Sequence, residues 1–320
     1  MKNNVVFLYF LFGFACAITN FGCRETDTSL NWQQLDTHTD KPLLCMAMAT
    51  PDTGYAFGGD RFLYGVRLTT VDGGNSWRPD SMHNKAIKSV FFLDKKHGIV
   101  TGQDGFFFTT INGGTTWQFH QPQLWNYLQA IAFSDPFHGI AVGGEGYQVG
   151  KITTYSDFAV QISLDSLKHE LCDVAFSSQL NATAVGYGIV QRTKDAGRSW
   201  QQLDVKGDNY RAICFPTRQT GYIIGLAGSI LKTTDEGENW SVLQAPATLS
   251  LNGELRDVAF ADENTGFICG DNGLLLTTEN GGRTWRTVPN LPKVKLNTIT
   301  LKGKTGWILG NKGTLIRFSF

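Results

Sequence analysis

Short apolar stretches recur along the chain with a two-residue alternation, and each is followed at a nearly fixed distance by another. Lys88–Leu93, Gln129–Ser134, Cys172–Ser177, Arg211–Pro216 and Arg256–Ala261 alternate Val or Ile and Phe with small residues. This pattern predicts strands with buried faces. A second stretch follows, bracketed by glycines: Gly98-Ile-Val-Thr-Gly102, Gly139-Ile-Ala-Val-Gly143, Gly221-Tyr-Ile-Ile-Gly225, Gly266-Phe-Ile-Cys-Gly270 and Gly306-Trp-Ile-Leu-Gly310. A Gly-rich turn leads to a third strand, which runs into a tryptophan-bearing turn and a short fourth strand.

The tryptophans of that turn are Trp77, Trp117, Trp200, Trp240 and Trp285, at intervals of 40, 83, 40 and 45 residues. The long interval spans two periods, with Phe158 where a tryptophan is due. Four strands in about forty residues is the size of a propeller blade, a unit that buries its faces only by stacking on its neighbours. The last unit begins at Leu296 and ends at Phe320 after three strands. Its missing fourth strand is supplied by Trp32-Gln-Gln-Leu-Asp36, identical to Trp200-Gln-Gln-Leu-Asp204 in a complete unit. Units starting at Leu44, Lys88, Gln129, Cys172, Arg211, Arg256 and Leu296 then number seven. The expected fold is all-β: a seven-bladed β-propeller of four-stranded antiparallel blades over residues 31–320, with the N-terminal strand completing the last blade.

The turn motif is Thr-x-Asp/Asn-x-Gly-x-Ser/Thr/Asn-Trp, with Asp72, Asn112, Asp195, Asp235 and Asn280 at its acidic or amide position. This is the Asp-box, or BNR repeat. Its residues suit a hairpin turn: Asp or Asn accepts backbone bonds, Gly takes a positive φ, and Trp packs between blades. The whole repeat from Asn31 to Phe320 resembles the photosystem II stability and assembly factor family of propellers. That resemblance implies a non-enzymatic scaffold for a protein partner, placed in the envelope of a non-photosynthetic bacterium. Blade three departs from the pattern at Ser156-Asp-Phe158.

Composition fits the strand-rich reading, with 36 glycines and only 18% charged residues. The 28 basic and 28 acidic residues cancel and form no run of like charge, which argues against nucleic acid as a partner. At the N-terminus one Lys precedes an apolar run from Val5 to Ile18, the size of an export signal, so residues 1–22 are expected to be a signal peptide and 23–30 a short linker. Asn20-Phe-Gly-Cys23 resembles a bacterial lipobox, although Asn20 stands where an aliphatic residue is usual. The expectation is an exported, monomeric lipoprotein held in the cell envelope through a diacylated Cys23, or a secreted or periplasmic protein if Cys23 is unmodified. The remaining Cys45, Cys172, Cys214 and Cys269 form no CxxC and suggest buried thiols.

No HxH, HExxH, phosphate loop or dinucleotide fingerprint occurs, so no metal and no cofactor is indicated. His97 and His138 share one repeat position before Gly, as turn residues would. The rival reading is a sialidase-like glycoside hydrolase or glycan-binding protein, because sialidases share the Asp-box. Their arginine triad cannot be assembled, since Arg78, Arg198, Arg283 and Arg286 lie beside the repeat motifs. A two-carboxylate glycosidase leaves no local signature and stays open.

Candidate binding residues cluster where the inner strands begin. Lys88, Gln129, Arg211 and Arg256 fall at one level with Leu44, Cys172 and Leu296, followed by Asp173, Asp257 and Asn297, and preceded by Tyr127 and Tyr210. All are expected near one mouth of the central channel, either in blade-to-blade ion pairs such as Arg256 with Asp257 or Asp173, or on a surface that docks a protein. Two loops entering that face, Gln118–Tyr127 with Trp125 and Ser241–Glu254, vary most, as specificity loops do.

Overall fold

The computed structural model describes residues 30–60, 64–121, 127–146, 149–157, 159–205, 208–243 and 253–320, the side chains at 160 to 166 excepted. The expected signal peptide, Cys23, Trp125, Phe158 and most of the loop after Ser241 lie outside the described residues. Seven four-stranded antiparallel sheets form seven blades. Their inner strands are Leu43–Met48, Ile87–Phe92, Tyr127–Asp135, Leu171–Phe176, Tyr210–Cys214, Leu255–Phe260 and Leu296–Lys302, in blade order. Each touches the next, and the seventh touches the first, so the ring is closed. No helix among the described residues is long and apolar enough to cross a membrane.

The closing strand is Asn31–Leu35, paired antiparallel with Leu315–Ser319 so that Trp32 lies opposite Phe318. Trp32 packs on the cluster of Phe267, Cys269, Ile299, Ile308, Ile316 and Phe318, which draws on blades six and seven together. Every core cluster is shared in this way between neighbouring blades. Trp77 of blade one, for instance, meets Trp307 and Leu309 of blade seven.

All seven inner strands carry a register shift at the same place, just after their first buried residue. Such a bulge sets two residues of one strand against one of its partner. It explains why strands expected from Lys88, Arg211 or Arg256 actually begin one residue earlier. The alternation breaks at the bulge, so Ile87, Tyr210 and Leu255 fall outside the simple period. The bulge also brings a carbonyl close to the second strand. A Cβ on Gly143 would stand 1.8 Å from the carbonyl oxygen of Tyr127, so the closing glycine of the Gly-x-x-x-Gly pattern leaves room that no side chain permits. The opening glycine does the same for an aromatic ring, with Gly98 lying against Phe92.

The Asp-box turns are self-contained. Thr70 Oγ1 donates to Asp72 Oδ1 at 2.8 Å, and Asp72 accepts the Asn75 and Ser76 amides at 3.0 Å each and Ser76 Oγ at 2.6 Å. These bonds hold its carboxyl well below the usual carboxylate range. The Asn boxes reverse one bond: Asn112 Nδ2 donates to Thr116 Oγ1 at 2.8 Å, as Asn280 does to Thr284. Boxes also bind the preceding blade, since Tyr55 Oη donates to Gly113 O at 2.9 Å and Tyr222 Oη to Gly281 O at 3.0 Å. His97 directly precedes the strand Gly98–Gly102 and His138 opens the strand His138–Glu145, each against the Asp three residues earlier, and the bonds from His97 bring the Asp94 carboxyl down to about 2. The four cysteines among the described residues are free thiols, three of them buried, and burial pushes Cys172 up to about 11.

Trp32→Ala should loosen the closing strand and lower stability by about 2 kcal/mol, less than a fully buried tryptophan costs. Chemical denaturation measures this. A loss no larger than that from a surface change such as Gln33→Ala would show that the strand does not hold the ring.

Candidate functional site

The bulge decides what faces the channel. Leu43, Ile87, Leu128, Leu171, Tyr210, Leu255 and Leu296 form a buried anchor row at the seven shifts. The residues after them, Leu44, Lys88, Gln129, Cys172, Arg211, Arg256 and Asn297, are the extra residues of the bulges. Asn297, not Leu296, therefore completes the ring that contains Lys88, Arg211 and Arg256. Tyr210, expected at the mouth, takes the anchor place instead and is 1% exposed, packed with Val185, Val190 and Ile223. Tyr127 opens the inner strand of blade three and is half-buried.

Arg256 pairs with carboxylates other than the anticipated Asp257 and Asp173. Its guanidinium forks onto Asp271, Nε to Oδ1 at 2.9 Å and Nη2 to Oδ2 at 3.1 Å, and also pairs with Glu254. Arg211 bonds the Cys172 thiol and lies within electrostatic reach of Asp173, Asp257 and Lys295. Lys295 was not singled out in the sequence. It ends the short connection into blade seven, and burial, then Arg256, pushes its ammonium below the ordinary lysine range. Arg211, Arg256 and Lys295 thus gather positive charge on three consecutive blades at one mouth. Gln129 Nε2 donates to Glu170 Oε1 at 2.9 Å, and Asn297 Nδ2 to Leu43 O at 2.8 Å, each crossing to the next blade.

Asp173 and Asp257 serve as ties between blades. Asp173 accepts Val174 N at 2.8 Å and, from blade five, Ile213 N at 2.9 Å. Asp257 accepts Val258 N at 2.8 Å and, from blade seven, Ile299 N at 2.9 Å and Thr298 Oγ1 at 2.6 Å. Ser89 of blade two holds the equivalent position and accepts Ile131 N at 3.2 Å. Blades two, four and six therefore carry the acceptor, and blades three, five and seven donate to it. Burial raises both carboxyls. Asp173 goes up to about 7, with Asp257 the second cause, against the pull of its amide donors and Arg211.

The fold and its turns define the class: a seven-bladed propeller built on Asp-box repeats, with its boxes at the face opposite a charged channel mouth. Within that class the chain belongs to the family described as photosynthesis system II assembly factor YCF48, whose model matches residues 24–118, 151–252 and 244–319. The stretch left between the first two matches, 119–150, holds the first two strands of blade three. Photosystem II stability/assembly factor HCF136 of Arabidopsis thaliana is 27% identical over 144 residues, 43% of this chain and 36% of that one. Its counterpart from Cyanidioschyzon merolae is 25% identical over 202 residues, 52% and 46% of the two chains. The chain thus matches about half or less of the length of these relatives. Among solved structures, YCF48 bound to D1 peptide superposes with a TM-score of 0.71 at 21% identity, covering 90% of this chain and 97% of the other. The WD40 propeller domain of Doa1 reaches the same score at 9% identity, covering 91% and 97%. These likenesses show the fold.

A raised Asp173 carries a sign. Folding favours its neutral form, so its stabilising share is complete below the ordinary 3.8 and is lost as pH rises through about 7. Asp173→Asn removes the titration. The melting temperature of the variant minus that of the parent should rise by about 2 °C or more between about pH 5 and about pH 8. A difference that stays level over that window would contradict the shift.

Proposed function

We propose that this chain is a non-enzymatic scaffold that binds a protein partner at the channel mouth. The observation that carries this reading is the gathering of Arg211, Arg256 and Lys295 on consecutive blades at one mouth, where bulges turn the two arginines away from the buried anchor row. Basic groups held at a concave rim suit a partner segment that bears carboxylates. Membership of an assembly-factor family supports a protein-binding role, and a relative of this fold is described bound to a peptide. We further propose that the scaffold works in the cell envelope, held by a lipid on Cys23; the lipobox-like Asn20-Phe-Gly-Cys23 supports this reading.

The glycosidase reading finds little support at this site. The channel carboxylates Asp173 and Asp257 each engage both oxygens with backbone amides, which leaves neither oxygen free to face a glycoside as acid or nucleophile. Among the described residues the exposed aromatics do not form a sugar-stacking row. Tyr64 starts a third strand, Phe119 lies on an outer strand and Phe137 sits in a turn on the box side.

Two experiments test the proposal. Affinity capture from solubilised envelopes should recover a specific protein, and recovery should fall at least about tenfold when Lys88, Arg211 and Arg256 are together changed to Ala, roughly the loss of one charge-assisted contact. Equal recovery by a folded variant would remove the mouth as the site. Purified protein offered a panel of glycosides should release no sugar, and turnover would overturn the scaffold reading.

A further inference from the structure

Five of the seven seams between blades follow one rule, one departs from it on one side and one on both. At mid-depth, the fourth residue of the Gly-x-x-x-Gly strand meets the third strand of the next blade, and the facing residues are Phe57 with Phe108, Val185 with Leu231, Ile224 with Leu276, Cys269 with Ile316 and Leu309 with Leu68. Between blades three and four Val142 faces Gln191. Between blades two and three both places are polar: Thr101 and Thr153.

Neighbours in the same rows confirm the facing. Ile99, two residues before Thr101, shares a core cluster with Tyr155, two residues after Thr153. Residues two apart in a strand point to one side, so Thr101 and Thr153 look into this seam. Above Thr101 the turn Gln103–Gly105 touches the inner strand of blade three. Lys151 continues the polar row of blade three at the depth where blade two has Phe106. At the other end Tyr155 replaces the box threonine and meets Phe107 edge-on, with centroids 5.7 Å apart.

These polar groups are deeply buried, at 0% exposure for Thr101 and Thr153, 1% for Tyr155 and 4% for Gln103. Thr101 Oγ1, Gln103 Oε1, Thr153 Oγ1 and Tyr155 Oη have no hydrogen-bond partner among the described residues. They make up four of the nine such buried side-chain atoms among the described residues, gathered in one seam of seven. Leaving each unmet costs about 1–3 kcal/mol, too much to be tolerated four times over at one interface. The ligand chemistry that meets three hydroxyls and an amide oxygen buried between two packed blades is a small neutral molecule that both donates and accepts, which is water.

We propose that the seam between blades two and three encloses a file of ordered water molecules linking Gln103, Thr101, Thr153 and Tyr155, and that the ring parts there more readily than at its apolar seams. Replacing the aromatic and aliphatic pairs of the other seams with two threonines removes apolar burial at the centre of the contact. Water then supplies the bonds that the side chains lack.

A crystal structure at high resolution should show solvent within hydrogen-bond distance of at least two of these four groups; a dry seam overturns the proposal. Hydrogen exchange of the intact protein should be at least about tenfold faster for the strands at residues 99–102 and 151–155 than for 221–225 and 275–278, which line the Ile224–Leu276 seam. Equal protection overturns the second half. Thr101→Ile with Thr153→Leu copies that apolar seam. It should slow exchange at both strands and displace the solvent, and a folded variant whose exchange is unchanged counts against the proposal. If the variant does not fold, the solvent and exchange measurements on the unaltered protein decide.

Discussion

A propeller blade has two apolar faces and a thickness of one sheet, so it cannot satisfy itself. Every core cluster here joins residues of two adjacent blades, and no blade owns a core of its own. Stability is thus a property of the ring, and a ring with one open joint exposes two apolar faces at once. The pairing of Asn31–Leu35 with Leu315–Ser319 closes that joint by making one blade from both ends of the folded region. The same pairing removes the unpaired strand edge that the last blade would otherwise present.

The bulge at the head of each inner strand turns a structural necessity into a functional opportunity. Two adjacent residues are directed to different sides, so one anchors the seam while the next enters the channel. Tyr210 and Arg211 illustrate the division: the ring of one is buried among aliphatics, and the charge of the other reaches across the mouth. Much of the mouth chemistry is nevertheless committed to holding the ring. Asp173 and Asp257 are spent on amides of the following blade, and Arg256 is held between Asp271 and Glu254. Such a mouth is rigid and pre-arranged, which limits the entropy lost when a partner docks.

Blade number, strand order and the closing strand were legible because they follow from period-two alternation and from a motif repeated five times. The local details of the mouth were less so. A bulge adds one residue without altering composition, so Leu296 reads as an equivalent of Arg256 although Asn297 is, and Tyr210 reads as a surface residue although it is an anchor. Lys295 escaped notice because it lies in a connection of irregular length, outside any repeat position. The partners of Arg256 were also hidden: Asp271 is near it only because the second strand returns beside the first, a contact of fold and not of spacing. The polar row Lys151, Thr153, Tyr155 is visible in the sequence as a failed Asp-box, but its meaning depends on Thr101, some fifty residues away on the facing blade.

The two faces of the ring differ in what their polar groups are free to do. On the box face Asp72, Asp195 and Asp235 are near the surface, yet each accepts bonds from its own turn, and the turn carbonyls accept from the preceding blade. Side chains so engaged offer a ligand little without first breaking the turn that positions them, at about 1 kcal/mol or more for each bond lost. At the mouth, connections of unequal length meet charges contributed by separate blades, and no repeat rule fixes their identity. Selection for the ring constrains the first face at every blade. It constrains the mouth only through the anchor row and the acceptors of alternate blades, and the positions it leaves open are those where recognition can differ from one member of the family to another.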